Sequence, residues 1–358
     1  MSFAYVGGYT PNGGGIQCFA LDPATGGLTP LALTVGIADP TWLLIQDDRL
    51  YAASEVTPAG RVSAYRIDPA DGALTLINRV DAGGGKPVHL SRHPAGRHLF
   101  VANYDGGTLA VLPIGEDGGL GPAIDVKTDA GPIGPGRPAD APPGSFADSG
   151  HDAPHAHYVE SDPSGRFVLH TDLGQDRIYV WRFEAGRLTP AAVPFLATVP
   201  GSGPRHLAWH PDGKRVYVLT EESSTLSAYR FEDGELTPLQ TLSALPPGFA
   251  GTSYGSDLKL SADGRFAYAA NRLHDSIATF TTAGDLRLID HTPTWGSYPR
   301  TLVIHGDFLY AMNQRSDAIA VFRIETGRPR FTSQYIPIGS PAHLAFWTEP
   351  PLKTNSDG

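Results

Sequence analysis

The sequence predicts an all-β fold: a seven-bladed β-propeller of four-stranded blades, with the ring closed by the N-terminal strand pairing in the C-terminal blade. Three series of short segments, each recurring seven times, predict it. The first is aromatic-led in most copies and begins at Tyr5, Tyr51, Phe100, Val168, Tyr217, Tyr268 and Tyr310, steps of 46, 49, 68, 49, 51 and 42 residues. A period in the forties built from short strands is the spacing of propeller blades. The second series follows as alternating runs at 16–19, 62–65, 109–112, 178–181, 226–229, 277–280 and 319–322. Most copies lead into an Asp- or Gly-rich turn and a Leu-Thr pair, as in Asp71-Gly72-Ala73-Leu74-Thr75, which is hairpin chemistry. The third series opens an apolar run at Pro40-Thr41, Pro87-Val88, Ala156-His157, Pro204-Arg205, Gly255-Ser256, Pro299-Arg300 and Pro341-Ala342. These are the expected inner strands.

The last inner strand, 341–347, has no second strand after it, and the first second strand, 3–9, has no inner strand before it. Pairing the two closes the ring and leaves no open edge. Residues 1–348 therefore read as one domain, despite a length of 358 residues that could serve two or three. The polar segment 349–358 reads as a loose tail. The step of 68 marks an insertion at 131–154, dense in Gly, Pro, Asp and Ala and too polar to hold a core of its own. It reads as a surface loop and a candidate lid, because it leads straight into His155 and His157.

The net charge of −10 argues against a nucleic-acid partner. A single cysteine, Cys18, excludes an internal disulfide and reads as a packed strand residue. With neither a secretory leader pattern nor a run of about eighteen apolar residues, no membrane partner is expected and the location expected is the cytoplasm. Monomer and homodimer are both left open.

Adjacent antiparallel strands put the start of one at the end of the next. One rim should therefore collect the inner-strand starts Thr41, Val88, His157, Arg205, Ser256, Arg300 and Ala342. It should also collect the second-strand ends Glu55, Tyr104, Asp172, Glu221, Arg272, Gln314 and Tyr9. Charged residues crowd this set in four consecutive units, although a channel wall could be built of Ser, Thr or Ala. Clustered guanidiniums suit a carboxylate or phosphate, and a histidine with carboxylates supplies acids and bases. Taken pair by pair, the competing reading is structural: an Arg205–Glu221 ion pair, and Asp172 orienting His157. His93, His98, His206 and His210 sit at strand or turn positions shared by several repeats and read as structural. His151, His155 and His157 lack a zinc-site spacing and a thiolate partner, so no metal is expected. There is no Gly-x-Ser-x-Gly elbow.

Four stretches resemble a known family: His157-Tyr158-Val159-Glu160-Ser161-Asp162-Pro163, Gly203-Pro204-Arg205-His206-Leu207-Ala208-Trp209-His210-Pro211, Thr220-Glu221 with Ser223-Ser224-Thr225, and Asn271-Arg272 with His274-Asp275-Ser276. They are similar to the seven-bladed lactonases, which include bacterial propeller-type 6-phosphogluconolactonases and the fungal carboxymuconate lactonising enzyme. The resemblance spans nearly the whole chain. It implies a hydrolase of a sugar lactone, 6-phosphogluconolactone or a related aldonolactone, working without cofactor or metal. By matching positions it makes His157, Arg205, Glu221 and Arg272 the catalytic set, the four that the rim also selects. Arg300, Asp172, Tyr104, Asn271, Gln314 and His155 are the expected substrate-binding neighbours, and Glu221 and His157 are both candidate bases. Two features depart from the family: an insertion longer than many members carry, and Thr220 where Asn is frequent. The alternative is a lactonising lyase or lactone isomerase acting on a carboxylated substrate such as a muconate. A third reading is a non-catalytic protein-binding propeller.

Overall fold

The computed structural model describes residues 2–148 and 150–349. The expected loose tail thus lies, beyond Glu349, outside the described residues. Within them the chain forms seven four-stranded antiparallel sheets. Their inner strands, Pro40–Gln46, Gly85–Arg92, Ala156–Ser161, Pro204–Trp209, Tyr254–Leu260, Pro299–His305 and Pro341–Thr348, number the blades one to seven. Each inner strand lies beside that of the next blade, and the seventh beside the first. Ser2–Gly8 is the second strand of blade seven, with Ser2 opposite Thr348 and Gly7 opposite His343. The ring is closed as expected. Among the described residues no helix is long and apolar enough to cross a membrane.

Two of the repeated signatures meet between blades. The buried tyrosine leading the second strand donates its hydroxyl to a hairpin glycine carbonyl of the next blade: Tyr5 to Gly72 at 2.8 Å, Tyr51 to Gly118 at 3.0 Å, Tyr268 to Gly327 at 3.1 Å and Tyr310 to Gly26 at 2.9 Å. All four glycines have positive φ, a conformation other residues adopt only with strain. The spacing of aromatic and glycine in the sequence is thus the spacing of a latch between blades.

The inner strands share an irregularity that sets up the rim. In every blade the ladder slips at the start of the inner strand. It skips Thr41, Val88, His157, Arg205 and Ala342 as single residues, and slips across Ser256-Asp257 and Arg300-Thr301. A bulge frees its extra residue from pairing and re-aims the side chain. Just below lies a second layer that fills the channel. Here Trp42 stacks on His343 with ring centres 4.0 Å apart, His89 stacks on Tyr158 at 3.6 Å, and Tyr158 lies 4.7 Å from His206.

Candidate active site

Above that plug the channel opens into a pocket of about 200 Å³. His157, Arg205, Glu221 and Arg272 line it, joined by Arg300 and Tyr104, and also by Glu55, Lys86 and Val88. The bulges carry His157, Arg205 and Arg300 inward from blades three, four and six. Glu221 and Arg272 arrive at the ends of the second strands of blades four and five.

One carboxylate oxygen organises the centre. Glu221 Oε2 lies 2.7 Å from Arg205 Nε and 2.8 Å from Arg272 Nη2. Arg205 is held at its backbone too, where its carbonyl accepts Thr171 Oγ1–H at 2.7 Å. Arg272 Nη2 also donates to the Gly255 carbonyl at 3.2 Å, and its guanidinium lies over the Tyr298 ring at 5.1 Å. Burial pushes the Glu221 carboxyl up, but Arg272 and Arg205 together outweigh it and hold the group below the usual glutamate range. Burial, then the charge of Arg272, lowers the Arg205 guanidinium to about 10, so it stays charged at neutral pH.

A second carboxylate serves Arg300. Glu55 Oε2 is 3.1 Å from Arg300 Nη2 and accepts Tyr9 OH at 2.8 Å and Thr41 Oγ1–H at 2.7 Å. The pocket thus holds three guanidiniums against two carboxylates, with Lys86 at its edge paired to Asp105 at 3.2 Å.

His157 differs from all of these. It is buried, lines the pocket and makes no hydrogen bond among the described residues; its Nδ1 is enclosed and unpaired. Burial first, and then Arg205, hold it well below the ordinary imidazole range, so it is neutral at pH 7.

The remaining candidates lie around the pocket. His155 stacks on Tyr104 at 3.9 Å, with Nδ1 2.9 Å from the Tyr104 carbonyl and Nε2 2.9 Å from Asp152. It sits behind a pocket residue. Asp172 is wholly buried and accepts Gln175 N–H at 2.8 Å. Asn271 donates to the Ala244 carbonyl at 2.7 Å, and Gln314 begins a short 3-10 turn. None of these three lines the pocket. His151 turns to Asp176 at 3.2 Å, so the three insertion-end histidines do not converge. No group of three metal-ligating side chains comes together among the described residues.

Lys86 was missed in the sequence because the inner strand of blade two begins before its proline, at Gly85. Its φ of 48° is rare for a side chain other than glycine. Glu55 was legible as a rim residue but was not selected.

The insertion is bonded to the loops that follow Glu221 and precede the inner strand of blade five, and none of its residues lines the pocket. Asp140 accepts Ser223 Oγ–H at 2.5 Å, Gly251 N–H donates to the Pro143 carbonyl at 2.8 Å, and Phe146 N–H donates to Thr252 Oγ1 at 2.7 Å.

Residues 3–346 match the family model described as "Lactonase, 7-bladed beta-propeller". The chain is 33% identical to the 6-phosphogluconolactonase of Bacillus subtilis (strain 168) over 96% of this chain and 97% of that one. It is 30% identical to the 6-phosphogluconolactonase of Formosa agariphila over 96% and 99%. The periplasmic gluconolactonase of Pseudomonas aeruginosa superposes with a TM-score of 0.88, at 33% identity, over 98% of this chain and 100% of that one. By the family match and these full-length relatives, the chain belongs to the seven-bladed β-propeller lactonase family.

Proposed function

We propose that the protein hydrolyses a sugar 1,5-lactone, either 6-phosphogluconolactone or a related aldonolactone, in the pocket around Glu221. The observation that carries this reading is one buried carboxylate fixing two guanidiniums beside a neutral histidine with an unpaired ring nitrogen. The relatives named above supply the substrate class.

Of the two candidate bases, His157 is the better placed. Glu221 is committed as counter-ion to Arg205 and Arg272, whereas His157 is neutral and makes no hydrogen bond among the described residues. His157 Nε2 takes a proton from water as the water oxygen attacks the lactone carbonyl carbon. The oxyanion forms against the guanidiniums, which are pre-aimed and need no reorganisation. The bond from that carbon to the ring oxygen then breaks, and the protonated His157 returns its proton to the leaving alkoxide. The product is an aldonic acid, which ionises to the aldonate and releases one proton to solvent. General-base assistance contributes about 10²–10⁴-fold and oxyanion stabilisation about 10²–10³-fold.

The insertion acts as a lid rather than a wall: none of its residues lines the pocket, and the reading is supported by its anchoring to Ser223, two residues after Glu221, and to Gly251 and Thr252. Cytoplasmic action stays part of the proposal. Fractionation that finds the protein in a periplasm, the compartment in the name of the Pseudomonas relative, overturns that part alone.

The test is pH-stat hydrolysis of fresh 6-phosphogluconolactone and of unphosphorylated gluconolactone. His157→Asn should lose about 10²-fold or more in kcat with KM little changed. Shortening 138–147 should raise KM more than it lowers kcat. If wild type hydrolyses neither lactone above background, the sugar-lactone reading fails and muconolactones become the substrates to try. A His157→Asn variant at full rate removes His157 as base.

A further inference from the structure

His206 was read from the sequence as structural, a histidine at a position several repeats share. The layer below the rim shows otherwise. Three residues at this level do one common job, each accepting a backbone N–H from the inner strand of the next blade. His343 Nδ1 accepts Leu43 N–H at 3.4 Å, His89 Nδ1 accepts Val159 N–H at 3.3 Å, and Asp257 Oδ2 accepts Leu302 N–H at 2.7 Å. By that pattern His206 should accept Leu258 N–H. It does not, because Leu258 N–H goes to Asp257 Oδ1 at 2.8 Å. His206 is released from the scaffold task and makes two other bonds. Its Nε2 lies 2.9 Å from Arg205 Nη1, and its Nδ1 lies 2.6 Å from Asp257 Oδ1.

The chemistry of the partners fixes the tautomer. A guanidinium can only donate, so Nε2 presents its lone pair to Arg205, and Nδ1 carries the proton that goes to Asp257. Asp257 is itself immobile: it is fully buried, with donors from Leu258, Leu302 and Lys259 Nζ, the last at 3.0 Å. Arg205 Nη1 also donates to the Ser256 carbonyl, and its Nε faces Glu221. Nη1 is thereby hydrogen-bonded on two sides, and Nε is held by its 2.7 Å ion-pair contact with Glu221. The third nitrogen, Nη2, makes no hydrogen bond among the described residues.

From this geometry we infer that His206 and Asp257 are positioning residues, which hold the Arg205 guanidinium so that Nη2 points into the pocket for the oxyanion or another substrate oxygen. The inference rests on the role given to Arg205 above. A buried carboxylate and imidazole are costly where an aromatic would fill the same channel, as Trp42 and Tyr158 do nearby. Aiming a donor explains why polar groups stand here: an outer partner that orients a working group sets its geometry to a fraction of an ångström.

The experiment compares His206→Phe, His206→Gln and Asp257→Asn with wild type, with kcat, KM and melting temperature recorded for each. Phenylalanine keeps the bulk and removes the acceptor, and kcat should fall about tenfold to hundredfold while KM changes little. Glutamine keeps an oxygen for Nη1 and should recover most of that loss, as a bulk-filling role would not. In an Arg205→Lys background, which has no Nη2 to aim, His206→Phe should cost no more than about twofold. Folded His206→Phe at wild-type kcat overturns the inference, as does an equal loss in both backgrounds. Should the phenylalanine variant not fold, a folded His206→Gln and Asp257→Asn pair decides. The asparagine alone should lower kcat, because it weakens the hold on the tautomer, and equal wild-type rates in both sink the idea. Arg205→Lys at full rate would instead show that the reading of Arg205 is at fault.

Discussion

The outer latches and the central pocket use equally buried polar groups for opposite ends. Between blades, a tyrosine hydroxyl meets a glycine carbonyl, and the same neutral bond recurs in four blades. At the pocket, Arg205, Arg272 and Glu221 meet once, and no other carboxylate pairs with two guanidiniums among the described residues. A neutral hydrogen bond is a cheap way to satisfy a buried group and can be repeated. Buried charges are expensive, and breaking such a set leaves an uncompensated ion. Repetition therefore marks scaffold in this molecule, and departure from it marks chemistry.

The sharpest way to break that comparison is Glu221→Gln. Two guanidiniums lose their counter-ion in a buried site, so activity and stability should fall together. We expect a loss of kcat of about 10²-fold or more and about 3–5 kcal/mol of stability, read from lactone hydrolysis and urea denaturation. A variant that loses rate but keeps its denaturation midpoint would show that the ion cluster does not support the fold.

The latch should behave in the opposite way. Gly327→Ala puts a side chain at φ 81°, with its Cβ 2.2 Å from the Phe266 ring, and should cost about 1–3 kcal/mol. Tyr310→Phe removes one bond and should cost about 1 kcal/mol. Both should leave kcat within about twofold once folded. If either latch variant lowers kcat tenfold while remaining folded, the division between scaffold and site is wrong.

The propeller was legible because its rules repeat. A strand period of two and a hairpin turn each appeared seven times or nearly so, and closure followed from two orphan half-blades. The rim was legible for a related reason: a shared position carrying Thr41, Val88 or Ala342 in some blades and His157, Arg205 or Arg300 in others reveals what the scaffold itself does not need. What the sequence hid was direction. Asp172, Asn271 and Gln314 stand at strand ends, yet Asp172 bonds to Gln175, Asn271 bonds to Ala244, and Gln314 enters a 3-10 turn. The bulges that swing residues 157 and 205 out of the ladder leave no local sequence mark. Nor does the difference between His89 and His206, which depends on an aspartate fifty-one residues further on.

The smallest expected effect concerns Asp172, and it tests whether that residue belongs to the pocket or to the blade. Asp172 sits beside Asp129, whose carboxylate faces His170 Nε2 at 2.8 Å. Burial, and then the charge of Asp129, raise the Asp172 carboxyl to about 8. In an unfolded chain the same group titrates near about 3.9. Between those values the folded state keeps a proton that the unfolded state has lost. The contribution of this group to stability is therefore fully present below the unfolded value, and is lost as pH rises through about 8. Asp172→Asn cannot ionise and keeps an oxygen for Gln175 N–H. Relative to wild type, its melting temperature should improve as pH rises from about 5 to about 9, with KM unchanged. Parallel melting curves across that range would mean that Asp172 does not hold its proton in the fold. A raised KM at constant stability would return Asp172 to the substrate-binding set.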